Sequence, residues 1–271
     1  MNHNRRPFAA LEMLSILRQN SRILVAITRV ELAKRYSGSV LGMAWVIVYP
    51  ILFLAVYLFV YLVIFKMKFP GYSQLDYVVY VFCGLVPYIG FMESVNNGCH
   101  AIKQNIHLVK NVMLPIELIP VRYVMVSMVT QVVGMGVLLL LVAVNGSLSI
   151  HVAWLPVALA LQVAFLIGLV WILSGLAVVL PDISHFVNLA TLLLVFISPI
   201  GFKPDMVPHN LAFMVVLNPI YYMLEAFRYS LLYGELPPLH IAVPYVAMCT
   251  LSFGTGAAFF RRFRNVLVDY E

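Results

Sequence analysis

Residues 123–144 read YVMVSMVTQVVGMGVLLLLVAV, a run without a single charged side chain. A helix rises about 1.5 Å per residue, so this run covers the roughly 30 Å hydrocarbon core of a bilayer. Five other apolar segments are long enough, or nearly so, to do the same. They run roughly Ala44 to Phe65, Tyr77 to Val95, Val152 to Leu180, Phe186 to Phe202 and Ile241 to Phe260. Composition agrees: 63% of the 271 residues are hydrophobic, 10% are charged, and the mean hydropathy is +0.96, against about 25% charged residues in an ordinary soluble domain. The sequence therefore predicts an all-α, polytopic membrane protein with six transmembrane helices in one domain over 1–271. Residues 1–43 form an interfacial segment, 44–260 the six-span core and 261–271 a tail.

The basic residues orient it. Arg5, Arg6, Arg18, Arg22, Arg29, Lys34, Arg35, Lys103, Lys110, Arg122, Arg261, Arg262 and Arg264, thirteen of the 17 Lys and Arg, fall on one side of a six-span arrangement. Lys66, Lys68, Lys203 and Arg228 fall on the other. By the positive-inside rule both termini face the cytoplasm, and the net charge of +6 is topology information and not a nucleic-acid footprint. The first 35 residues are too polar and basic for a cleavable signal peptide. In the N-terminal segment Arg22 and Arg29 share one helical face and Ile23, Ile27 and Val30 the opposite one, which predicts a helix lying in the membrane interface.

Three connections carry local signals. In VLPDIS, Asp182 is placed to cap the next helix. Residues 203–239 hold Pro204, Pro208, Pro219, Pro237 and Pro238, and their apolar piece LAFMVVL is far too short to span. Two short re-entrant helices are expected there, with Glu225 and Arg228 spaced i, i+3 to pair. Such helices narrow an exit or merely cover it; pattern alone does not choose. In HAIKQNIHLVKNVMLPIELIP (100–120), Ile102, Ile106, Val109 and Met113 form one apolar stripe, with Lys103, His107, Lys110 and Asn111 on the other side. Pro115 ends that helix and Pro120 opens the next. This is an amphipathic helix across the ends of two spans, read equally as a membrane-surface helix or as a docking ridge.

KRYSGSVLGMAWVIVYP (34–50) resembles the segment opening the first span of permease subunits in bacterial ABC exporters of lipid-linked polysaccharides, the family serving O-antigen, teichoic acid and capsule export. The matching positions are Arg35, Tyr36, Ser39, Leu41, Gly42, Trp45 and Pro50. LVKNVMLPIELIP is similar to the family's second block through Lys110, Pro115, Glu117 and Pro120, with Leu114 where an aromatic is usual. LNPIYYMLEAFRYSLLYG is similar to the third through Asn218, Pro219, Glu225, Arg228 and Gly234, and SPIGFKPDMVP (198–208) also looks familial. The resemblance implies a homodimer, with two copies of a cytoplasmic ATPase that binds ATP and magnesium, in a bacterial inner membrane. It makes 103–113 the coupling helix, with Lys103, Gln104, Asn105, His107, Lys110 and Asn111 as ATPase contacts. No G-x-x-x-x-G-K-[ST] phosphate loop occurs in this chain, so ATP is not cradled here by that route.

Tyr49, Phe53, Tyr57, Tyr61 and Phe65 recur at i+4 and wind slowly round the first span. Flat aromatic faces suit weak, repeated stacking on sugar rings, and helix packing explains the spacing as well; the resemblance to polysaccharide exporters makes Tyr49, Phe53, Tyr57 and Tyr61 candidate glycan contacts. Glu93 is the acidic residue deepest in any span and either reaches water or pairs with Arg122. A gradient-driven carrier would need Glu93 to cycle protons; an ABC permease for a drug or small lipid would share the six-span plan. Gln131 and Gln162 are expected to bond between helices, and Ser252, Gly254, Gly256 and Ala258 to let helices approach closely. Three widely spaced cysteines and seven scattered histidines form neither a disulfide framework nor a metal site.

Overall fold

The computed structural model describes residues 9–64, 66, 73–105, 114–146 and 148–269, and among these every regular element is helical. Helices α1 (Ala9–Gln19) and α2 (Ser21–Tyr36) lead in. A turn with Gly38 and Gly42 at positive φ then starts a helical stretch over 42–64, comprising a 3-10 turn (Gly42–Ala44), α3 (Trp45–Leu58) and a π-helical end (Phe59–Ile64). The bundle continues with α4 (Gln74–Cys99), α5 (Leu118–Val144), α6 (Leu155–Val179) and α7 (Ile183–Ile197). Two short helices, α8 (Ala212–Val216) and α9 (Pro219–Arg228), precede the long α10 (Leu239–Asp269).

Among the described residues four helical segments are long and apolar enough to cross a membrane: Leu75–Cys99, Leu118–Val144, Ile150–Val179 and Leu239–Arg264. Gly42–Val56 and Ile183–Ile197 are apolar but shorter. They stand where the first and fifth of the six expected spans lie. The fifth was expected to run to Phe202; it stops at Ile197 because Ser198, forced out of helical geometry by the following Pro199, is extended at ψ 141°. Its 15 residues reach about 22 Å. The pair His209–Val216 and Pro219–Tyr233 is bent by 82°, the broken geometry that the proline-rich segment predicted.

Helix α4 is the axis. Its start is fixed by a reciprocal cap, Ser73 Oγ accepting from the Asp76 N–H at 3.1 Å and Asp76 Oδ2 accepting from the Ser73 N–H at 2.9 Å. Nearly its whole apolar length is buried against α5, α6, α7 and α9. At mid-height Gln131 and Gln162 exchange amide hydrogen bonds of 2.7 and 3.0 Å, and Gln162 also donates to the Pro87 carbonyl at 3.0 Å. Every polar group of that pair is thereby absorbed by α4, α5 and α6.

The closest packing is between α6 and α10. A methyl group placed on Gly168 would stand 2.1 Å from the Ser252 carbonyl oxygen, and one on Gly256 would stand 2.3 Å from the Gly168 carbonyl oxygen, so the two backbones touch. Ser252 adds a 2.8 Å bond to the Phe165 carbonyl. Of the four small residues expected to make such a contact, Ser252 and Gly256 do; Gly254 meets nothing within 4 Å and Ala258 is exposed. Asp182 occupies the N-cap position of α7, but its backbone carbonyl and not its side chain takes the first amides.

Candidate functional site

The ends of α4, α6 and α10 and the starts of α5 and α7 gather the basic residues at one end of the bundle. There α2 is bound by two ion pairs one turn apart. Arg35 forks onto Glu93 of α4, Nη2 to Oε1 at 2.8 Å and Nη1 to Oε2 at 3.1 Å. Glu31 takes Arg122 of α5 at 3.3 Å. The expected alternatives for Glu93, water or Arg122, are both replaced: Arg122 already serves Glu31, and Arg35 reaches Glu93 from outside the span. Burial opposes the Arg35 charge, yet its hydrogen bonds to Glu93 and that carboxylate's field hold the guanidinium above its ordinary value. With both oxygens engaged, Glu93 is a strut between α2 and α4. Between the two pairs lies a cavity of about 250 Å³ lined by Glu31, Lys34, Arg35, Asn97, Tyr123 and Val126.

Beside it α1 and α10 meet at the entry to α5. Arg264 lies 3.6 Å from Glu12 and 3.2 Å from Glu117, and Arg261 lies 3.5 Å from Glu12. Glu117 is buried, and its carbonyl accepts from the Trp171 indole at 3.1 Å. Pro115 and Pro120 flank it, Pro120 buried in the first turn of α5.

The expected coupling helix begins here. Residues 101–105 are helical, Lys103 and Gln104 exposed and Ile102 buried as the stripe predicts. Asn105 turns inward instead, donating to the Ala101 carbonyl at 2.8 Å and to the Tyr123 hydroxyl at 3.1 Å. Ile106, His107, Val109, Lys110, Asn111 and Met113 lie outside the described residues. His100, Lys103 and Gln104 face Ala177, Pro181, Ser184 and His185 across a cleft of about 460 Å³. The exposed residues Lys103 and Gln104 and the α6–α7 turn thus share one hollow.

The third sequence block closes the opposite end. Arg228 is fully buried; it pairs with Glu225 at 2.8 Å and donates to the carbonyls of Pro199 and Ile200. Tyr77 and Tyr80 donate to the next two, Gly201 at 3.2 Å and Phe202 at 2.9 Å. Four consecutive carbonyls at the end of α7, which no helix can satisfy, are therefore taken by side chains of α4 and α9. Asn218 caps α9 by accepting from the Ile220 N–H at 2.9 Å and ties it to Ser198, also at 2.9 Å. Pro219 fills the first turn, and Gly234 ends the π turn at φ 66°. These bonds make the motif residues of the third block a knot between α4, α7 and α9.

Of the aromatic stripe, Tyr49 and Phe53 are placed. Their rings stack at 6.2 Å, with Tyr49 exposed and Phe53 half-buried. Phe65 and the side chains of Tyr57 and Tyr61 lie outside the described residues. Trp45 is half-buried and Pro50 is buried near Gly134 of α5, so the first block seats α3 on the bundle.

The profile of ABC-2 type transporters matches residues 22–232, from the α2 ion pairs to the α9 knot. The chain belongs to the ABC-2 type transporter family. Among its relatives are proteins called O-antigen export system permease protein RfbA. One from Klebsiella pneumoniae is 27% identical over 245 residues, 89% of this chain and 92% of the relative. A second from the same species is 28% identical over 225 residues, covering 82% and 85%. One from Myxococcus xanthus is 26% identical over 245 residues, covering 89% and 91%. This ABC-2 chain is thus a multi-pass membrane transport component, and the likeness to these relatives covers 82–89% of it. Sequence reasoning missed four side chains in it: Glu31 as partner of Arg122, and Glu12, Arg261 and Arg264 around Glu117. The i, i+4 spacing of Glu31 and Arg35 on a helix otherwise read as amphipathic was the available signal.

Proposed function

We propose that this chain is the permease subunit of an ATP-driven exporter that moves lipid-linked polysaccharide, O-antigen in particular, outward across a bacterial inner membrane. The observation that carries this is the match to O-antigen export permeases over about nine tenths of this chain and of two of the relatives. Both termini and the basic end face the cytoplasm, in keeping with the distribution of Lys and Arg. Two copies form the conduit, each bringing six membrane-crossing segments, and two ATPase subunits that bind ATP and magnesium sit beneath. Support for a paired conduit comes from α3 and α7, which both lean on α4. Each leaves large apolar side chains uncovered, among them Ile47, Tyr49 and Val56 on α3 and Phe186, Leu189 and Phe196 on α7. The stacked Tyr49 and Phe53 then offer aromatic faces to the sugar chain.

Closure of the ATPases acts on the ridge beginning at Lys103 and Gln104. From there motion passes to Glu117 and Pro120 at the entry of α5, and through Arg35 and Glu93 to α4. Glu93 has both oxygens engaged, which removes the open carboxylate that a gradient-driven carrier would need.

The test is purification of the tagged chain from its native membranes in mild detergent. A stoichiometric subunit with a phosphate loop should co-elute, and deletion of the pair should leave undecaprenyl-linked glycan in the inner leaflet. A chain that elutes alone and whose deletion leaves surface glycan intact would refute the reading.

A further inference from the structure

Helix α2 does not seal against α5 along its whole length. Leu24, Val25 and Thr28 on one side and Met125, Met128 and Val132 on the other bound an apolar groove of about 490 Å³. Thr28, the one hydroxyl among the groove's side chains, gives its proton to the Leu24 carbonyl at 2.7 Å, so apart from Arg29 the walls offer no free side-chain donor. Val25, Val129 and Val132 stay exposed. Arg29 also lines the groove. The Glu31–Arg122 pair fixes that end of α2 at the mouth of α5. Neither Arg29 nor Arg22 pairs with a carboxylate among the described residues.

We infer that this groove is a binding site for an anionic phospholipid, with its phosphate on Arg29 and one acyl chain between α2 and α5. Dimensions and charge both select this occupant. From Met125 to Val133 α5 rises about 12 Å, most of one leaflet's share of a hydrocarbon core of roughly 30 Å. A cation at the mouth above an apolar slot matches a phosphate above its chain. A cytoplasmic protein partner would leave the deeper part empty. The bound lipid completes the packing of α2, the helix that carries both ion pairs to the bundle.

The test is native mass spectrometry of the purified full chain, with any subunit that co-purifies, titrated with phosphatidylglycerol or phosphatidylcholine. One phosphatidylglycerol per chain should be retained in preference to phosphatidylcholine. Arg29→Gln should weaken phosphatidylglycerol about fivefold, the effect of one basic residue near a headgroup, and leave phosphatidylcholine unchanged. Val129→Trp, which fills the groove, should abolish retention of both; Leu140→Trp, on the same helix outside the groove, should not. Equal retention of the two lipids, retention unaffected by Val129→Trp, or retention of undecaprenyl phosphate with exclusion of phosphatidylglycerol would each overturn the inference. None of these readouts depends on export, so the site and the proposed function fail separately.

Discussion

The guanidinium carbon of Arg228 lies 3.7 Å from the centre of the Tyr80 ring, and Gly84, one turn further along α4, makes room for it. A methyl group at that glycine would stand 2.9 Å from Arg228 Nη2. A fully buried cation is costly unless every donor is used. Here Glu225, the carbonyls of Tyr80, Pro199 and Ile200 and an aromatic face engage the guanidinium, so Arg228 fastens α9 and the end of α7 to the central helix.

Arg228→Met should therefore leave Glu225 buried and unpaired and should cost about 3–5 kcal/mol. Arg228→Lys should fail nearly as badly, since a lysine cannot span the carboxylate and the carbonyls as a planar fork does. Adding Glu225→Gln to Arg228→Met should recover part of the loss. Thermal unfolding of the detergent-solubilised chain, followed by tryptophan fluorescence, gives the ranking; equal melting of Arg228→Met and wild type would show the knot to be dispensable.

Arg35 and Glu93 form a bidentate charged pair, and hydrogen bonds to charged groups contribute about 1.5–3 kcal/mol. Either single change, Arg35→Ala or Glu93→Gln, should free the end of α2 from α4. The readout is a cysteine pair placed across α2 and α4, whose crosslinking should drop. The exchange Arg35→Glu with Glu93→Arg should restore it at least in part, and failure of the exchange with both chains folded would indicate that geometry and not charge positions α2.

How far these features are legible in sequence depends on separation and on choice of partner. Glu225 with Arg228 is set by helix periodicity, and the meeting of Gln131 with Gln162 follows from two lone polar groups in apolar helices that must find a partner. Arg35 with Glu93 obeys no period; several acids and bases share the basic end, and only the packing of α2 decides which meet. The small residues of α10 show the limit on a finer scale. Residues two apart point to different sides of a helix, so Ser252 and Gly256 touch α6 while Gly254 and Ala258 do not, and spacing alone gives both sets equal claim. The inward turn of Asn105 is of the same kind: spaced i+3 from Ile102 it borders the apolar stripe of the helix, and only the packing of Tyr123 decides that it is buried. Of the four carbonyls after α7, two are taken by Tyr77 and Tyr80, more than 100 residues away, and two by Arg228, 29 and 28 residues on, so no local pattern announces them.

The α6–α10 crossing yields a sharp contrast between glycines. Gly168→Ala and Gly256→Ala each set a methyl group against backbone, which cannot give as a side chain can, and should cost at least the roughly 1–3 kcal/mol of core overpacking. Gly254→Ala meets open space and should be neutral or slightly stabilising, since alanine is the better helix former by about 1 kcal/mol. Melting temperatures of the three variants test this directly. A loss at Gly254 equal to that at Gly168 would mean that another chain packs on that face.

At the proposed coupling element, exposed and buried polar residues should behave differently. The side chains of Lys103 and Gln104 make no bond among the described residues, and they line the cleft shared with His100 and His185. Lys103→Glu together with Gln104→Ala should leave melting unchanged, while the export rate per ATP hydrolysed by the proposed partner falls severalfold. Asn105→Ala removes a donor shared between the Ala101 carbonyl and the Tyr123 hydroxyl; losses of this kind cost about 1 kcal/mol. It should lower melting and reduce export and ATP hydrolysis together. Paired measurements of hydrolysis and glycan export in proteoliposomes separate the two cases. If the Lys103 and Gln104 variant kept the wild-type ratio of export to hydrolysis, force would have to enter the chain elsewhere, and the α6–α7 turn across the same cleft would be the next segment to alter.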